Sequence, residues 1–173
     1  TGLTGNYLLN EQSWVESPCF NFSTLVLPVV EMKVWWNCEF SYDGAVLQSS
    51  IDGGTTWQNV GVKGDPFNWY NDNTISGGPG GQLSSTAEGW TGRTSTNNGS
   101  NGWVKVKHKL TGLGGKSSVL LRIAFGADGV VMDDGFAFDE IRIGDNTNNL
   151  AVNSIKPITQ LCGFSASEPI TAV

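Results

Sequence analysis

The sequence predicts an all-β, antiparallel jelly-roll β-sandwich with a long loop insertion. Three observations carry the prediction: apolar residues alternate with period two in several stretches, Gly, Asn and Asp punctuate the gaps between them, and no stretch repeats with the period of a helix. Short strands separated by such turns suit an antiparallel sandwich of the jelly-roll kind.

The clearest strand is "VVEMKVWWNCEF". Met32, Val34, Trp36, Cys38 and Phe40 share one face, and Lys33, Trp35, Asn37 and Glu39 share the other. "GAVLQSS" follows as a strand, and "WQNVGV" reads as its return. Between them, "SIDGGTTW" matches the Asp-box pattern S-x-D-x-G-x-T-W. Asp52 can accept bonds from backbone N–H groups ahead of it, Gly53 or Gly54 takes positive φ, and Trp57 anchors the turn. The pattern resembles the structural hairpin of sialidase propellers, but a propeller needs several copies and this chain has one. A turn is the reading that remains.

Further along, "WVKVKHKL" sets Val104, Val106, His108 and Leu110 against Trp103, Lys105, Lys107 and Lys109. "SVLLRIAF" and "FAFDEIRI" complete the strands. After Ile143 the polar cluster "GDNTNNL" marks a boundary, so residues 1–145 form the sandwich and residues 146–173 a linker with the first strands of a following immunoglobulin-like module.

With 173 residues and 39% hydrophobic content, the chain can bury one good core. A net charge of -6 and a pI near 4.6 argue against nucleic acid as a partner. No apolar run approaches the length of a membrane span, so no membrane insertion is expected. Glycine at 23 residues, charged residues at 15% and seven Trp suit a turn-rich extracellular domain better than a cytosolic helical enzyme.

The motifs "WVESPCFNFSTL", "VWWNCEFSYDGAVLQSSIDGGTTWQNVG", "GDPFNWYN", "GWTGR", "LLRIAFGADG" and "DDGFAFDEIRI" stand in an order that resembles the MAM-like, choice-of-anchor jelly-roll modules of large secreted proteins from Bacteroidetes-type bacteria. The likeness covers residues of about 7 to 144, and the tail resembles the opening of the immunoglobulin-like repeats that follow such modules. It implies a secreted or cell-surface location, export by the type IX system, and a role within adhesins, gliding-motility proteins or secreted hydrolases. It also implies a structural calcium ion near the last strand, with Asp139 of "FDEI" and Glu16 of "VESP" as ligands; Asp43, Asp133 and Asp134 are further oxygen donors. The alternative is that Asp134 belongs to a turn and Asp139 caps a strand end.

Cys19 and Cys38 are a candidate disulfide in an oxidising compartment, or two small buried thiols, while Cys162 stands alone in the tail. Catalysis is not expected. Asp134 and Glu140 would lie about 20 Å apart on one strand face, too far for a hydrolytic pair. His108 lacks a serine in a G-x-S-x-G elbow.

Binding is the better prospect. Residues 63–102 hold nine Gly and six Asn, and a loop of that length is usually functional. Phe67, Trp69, Tyr70 and Trp90, with Arg93 nearby, could stack on sugar faces, or the rings could fold inward as a small core. Lys105, Lys107 and Lys109 form a stripe that is either solvated surface, edge protection or a contact for an acidic polysaccharide. The expected function is therefore a non-catalytic adhesion or carbohydrate-binding module that takes a glycan or protein ligand on a cell or polymer surface, alongside other domains of the same polypeptide. The alternatives are a structural spacer or an accessory domain of a secreted protease or glycosidase.

Overall fold

The computed structural model describes residues 5–146; the tail with its expected immunoglobulin-like strands and Cys162 lies outside the described residues. Among the described residues seven strands follow in order: β1 (Gln12–Glu16), β2 (Pro28–Asn37), β3 (Gly44–Ser50), β4 (Gln58–Asn59), β5 (Val104–Lys109), β6 (Leu120–Gly126) and β7 (Gly135–Asp145). Every ladder is antiparallel, with β1-β6-β3-β4 in one sheet and β5-β2-β7 in the other. The chain is an all-β sandwich, and among the described residues the helical content is two short 3-10 turns. No helix there is long and apolar enough to cross a membrane.

Alternation on β2 has the expected sense. Val30, Met32, Val34 and Trp36 are buried, and their neighbours Glu31, Lys33, Trp35 and Asn37 are half-buried. Cys38 is also buried, but Phe40 is exposed because the strand ends at Asn37 and the chain turns to start β3. Opposite this face stand Leu47, Leu121, Ile123 and Phe125 of the larger sheet, and Val106 of β5 closes the core. The return strand "WQNVGV" is only the pair Gln58–Asn59, since Gly61 at φ 79° turns the chain away. β1 was not expected. It is an edge strand that presents Trp14 and Val15 to solvent, so no apolar alternation marks it.

β3 is buried on both faces because the insertion packs over it. Trp90 bridges Ala45 through backbone hydrogen bonds of 2.9 and 3.0 Å, and a Cβ on Gly44 would meet the Trp90 carbonyl at 2.6 Å. That close approach explains why a strand start carries glycine here.

The two cysteines are free. The Cys38 thiol donates to the Asp43 carbonyl beside the start of β3, while Cys19 lies against Ser118, next to Leu120 at the end of β3. A full strand separates them, roughly 20 Å at the usual rise, which a disulfide does not span. Burial pushes the Cys38 thiol up to about 12, so it is an inert core group.

Candidate functional site

The insertion turns most of its aromatics inward. Trp69, Tyr70 and Trp90 are buried and meet edge to face or tilted at 4.7–5.2 Å between ring centres, and Trp90 stacks on Phe136 of β7. Their polar atoms are used internally. Trp69 Nε1 donates to the Val60 carbonyl at 2.7 Å, Trp90 Nε1 donates to the Asn68 carbonyl, and the Tyr70 hydroxyl both donates to and accepts from the Leu47 backbone. These three rings cannot stack on a ligand, which corrects the expectation for Trp69, Tyr70 and Trp90. Arg93 is likewise engaged, at 2.6 Å from Asp133 and 3.8 Å from Glu39. Phe67 remains exposed, beside β5, where its carbonyl accepts from the Lys107 N–H.

A polar cleft lies instead against the Asp-box hairpin. The Asp52 carboxylate accepts from Ser50 Oγ, Thr56 N and Thr56 Oγ1 at 2.6–3.1 Å, and the Thr56 bonds hold it down at about 2. This turn sets Trp57 on the outer face of β6, where the Arg122 guanidinium lies 4.2 Å from its ring centre. The exposed Trp14 of β1 flanks the same guanidinium at 5.5 Å. Arg122 is locked in place, since Nε donates to Gln48 Oε1 and a terminal nitrogen donates to the Gly80 carbonyl. Gly80, at φ 68°, lies so close that any Cβ would collide with the Gln48 amide.

The cleft beside Trp57 has a volume of about 460 Å³ and is lined by Gln58, Asn59, Gln82, Thr86 and Glu88 as well as the indole. Asn59 donates to Gln82, whose amide also bonds the Pro79 and Glu88 backbone, so the wall is rigid. Among the described residues, the Gln58 amide, the Thr86 hydroxyl and the Trp57 indole N–H have no protein hydrogen-bond partner. The Glu88 carboxylate accepts from Lys63 N at 2.6 Å through one oxygen, and burial raises it above the ordinary glutamate range. An aromatic wall with unused donors and acceptors is what a sugar ring requires. Trp57 was legible as a turn anchor, but the cleft was not, because Gln82 and Glu88 reach it from a separate loop.

Acidic residues gather at the other end of the sandwich. One carboxylate oxygen from each of Glu39, Asp43 and Asp128 lies within 4.8 Å of the others. Asp43 is fully buried and accepts from the Tyr7 hydroxyl and the Asp128 N–H. Glu39 Oε2 is buried without a hydrogen-bond partner. Burial raises both Glu39 and Asp43 above their usual values. Of the five expected oxygen donors, Asp43 alone is here, and Asp133 is taken up by Arg93. Asp139 is exposed on β7 and bonds the Glu140 N–H, Glu16 is exposed at the end of β1, and Asp134 accepts from Asn37. They fail to meet because Asp139 faces outward opposite Lys33 in the middle of β7, Asp134 stands just before β7, and Glu16 ends β1 in the other sheet.

His108 is half-buried, with Nε2 at 2.9 Å from Asp65 and its ring 4.7 Å from Trp69. No family model matches this chain, and no curated protein matches it.

Proposed function

We propose that the chain is a non-catalytic, extracellular carbohydrate-binding module of jelly-roll type, an adhesive part of a larger secreted or cell-surface protein. The observation that carries this reading is Trp57, clamped by Arg122 at the wall of a cleft with unpaired amide, hydroxyl and indole groups. A hydrolytic site would need two facing carboxylates, and the lining offers Glu88. The test is a screen against neutral glycans with the chain and its Trp57→Ala variant. Binding should fall at least about tenfold in the variant, matching the loss of one stacked ring and its hydrogen bond. Equal binding by both proteins overturns the cleft as the site. The burial of Trp69, Tyr70 and Trp90 favours a second reading, a structural spacer, for which no glycan binds while the fold stays intact.

Glu39, Asp43 and Asp128 would hold a structural calcium ion, a hard cation that takes oxygen donors. The orphaned Glu39 oxygen fits that group. Because burial raises Glu39 and Asp43, folding binds protons there more tightly than the unfolded chain does. The site therefore costs stability as pH rises through the raised values, and a cation offsets that cost at neutral pH. Calcium should raise the melting temperature at pH 7, with little effect in acid and none in Asp43→Asn. A calcium response that survives in Asp43→Asn rejects this site.

A further inference from the structure

The chain carries a formal charge of -6, yet five of its ten Lys and Arg residues stand on one face of one sheet. In β5, Lys105, Lys107 and Lys109 alternate outward, Lys33 of β2 lies opposite Lys105, and Arg142 of β7 lies opposite Glu31. Three acids share this area: Glu31, Asp139 and Glu140. The face is therefore net positive in a net negative molecule. Glu31 holds Lys105 at 3.0 Å and Lys107 at 2.9 Å, and Glu140 holds Lys33 at 2.6 Å, so the cations are ordered and shallowly set. Lys109 and Arg142 have no ion pair among the described residues.

Aromatic groups border the charge. Trp35 lies on the same face of β2 as Lys33, and Trp103, 55% exposed, precedes β5 at the end where Trp35 stands. Phe67, 65% exposed, lies beside the free edge of β5, where its carbonyl accepts from the Lys107 N–H.

We infer that the outer face of the three-stranded sheet is a docking surface for an acidic polysaccharide carrying carboxylates or sulfates in series. Cations at alternate residues recur about every 7 Å along β5, so a ligand that engages them together carries charges along its length. Arg142 offers the planar fork that pairs with a carboxylate or sulfate. The interspersed carboxylates Glu31, Asp139 and Glu140 can accept hydrogen bonds from the hydroxyls that a polysaccharide carries on every unit, donors that a deoxyribose–phosphate backbone lacks. This surface lies on a different sheet from the Trp57 cleft and does not depend on it.

The experiment is affinity electrophoresis in gels containing polygalacturonate, dextran sulfate or neutral dextran. Run in parallel are Trp57→Ala, the triple variant Lys105→Gln, Lys107→Gln, Lys109→Gln, and the double variant Lys33→Gln, Arg142→Gln. The expected result is retardation by polygalacturonate, by dextran sulfate or by both, which tells carboxylate from sulfate recognition. It should weaken about tenfold in the triple variant and in high salt, and persist in Trp57→Ala. Should the triple variant lose its fold, as read by melting temperature, the double variant decides. Retardation that is absent in the parent chain, unchanged in the folded lysine variants, or lost in Trp57→Ala overturns the proposal. So does tighter binding of a single-stranded oligonucleotide than of either polymer.

Discussion

Trp90 and Trp57 both sit in loops among Gly, Asn and Thr, and the structure uses them in opposite ways. Trp90 is fully buried, donates its indole N–H to the Asn68 carbonyl and packs against Trp69, Tyr70 and Phe136. Trp57 lies over a guanidinium on the outer face of the other sheet, and its N–H has no protein partner among the described residues. What separates them is the fate of the polar atom. A ring whose N–H is consumed by a nearby carbonyl becomes part of a core, while a ring held by its face to a cation keeps its N–H for a ligand.

The comparison breaks most decisively at Trp90. Trp90→Ala should cost about 3–5 kcal/mol, read as a fall in the denaturant midpoint; a cost below about 1 kcal/mol would mean that the insertion is not a core at all. Tyr70→Phe comes next. It strands the buried Leu47 N–H, while the Leu47 carbonyl keeps its bond from the Val60 N–H, for about 1–3 kcal/mol. Trp57→Ala should cost about 1 kcal/mol or less, the scale of one partly exposed cation–π contact, while glycan binding drops. A large stability loss there would move Trp57 into the structural class with Trp90. The smallest effect belongs to Glu31, held at about 2 by Lys107 and Lys105. Its folded value lies below its unfolded one, so its contribution is present above the unfolded value and fades as pH falls toward about 2. In Glu31→Gln, melting curves across that range should lose a small acid-side slope.

How much of this was legible follows from how local each feature is. β2 could be read because one of its faces is wholly inside, which forces alternation on Met32, Val34 and Trp36. The Asp box could be read because Ser50, Asp52 and Thr56 satisfy one another within seven residues. The acidic cluster could not, since Asp128 joins Glu39 and Asp43 only because Gly44 pairs with Gly126 across two sheet-forming segments. Composition also left the insertion undecided. Aromatics mixed with amides suit either an exposed cleft or an inward pack, and what settled it was the set of carbonyls at Val60, Leu47 and Asn68 that take up their donors.

The register of the strands has a kinetic consequence. Among the described ladders, β3 with β4 is the one formed by near neighbours in sequence; the rest join distant segments, from Val34 with Val104 to Pro28 with Asp145. Such topologies fold toward the millisecond-to-second end of the range for small domains, because loop closure precedes any gain from pairing. The three-stranded sheet cannot close before β7 has been made, so the nascent chain should stay open, with the Asp-box hairpin as its earliest organised piece, until nearly all of residues 5–146 have emerged.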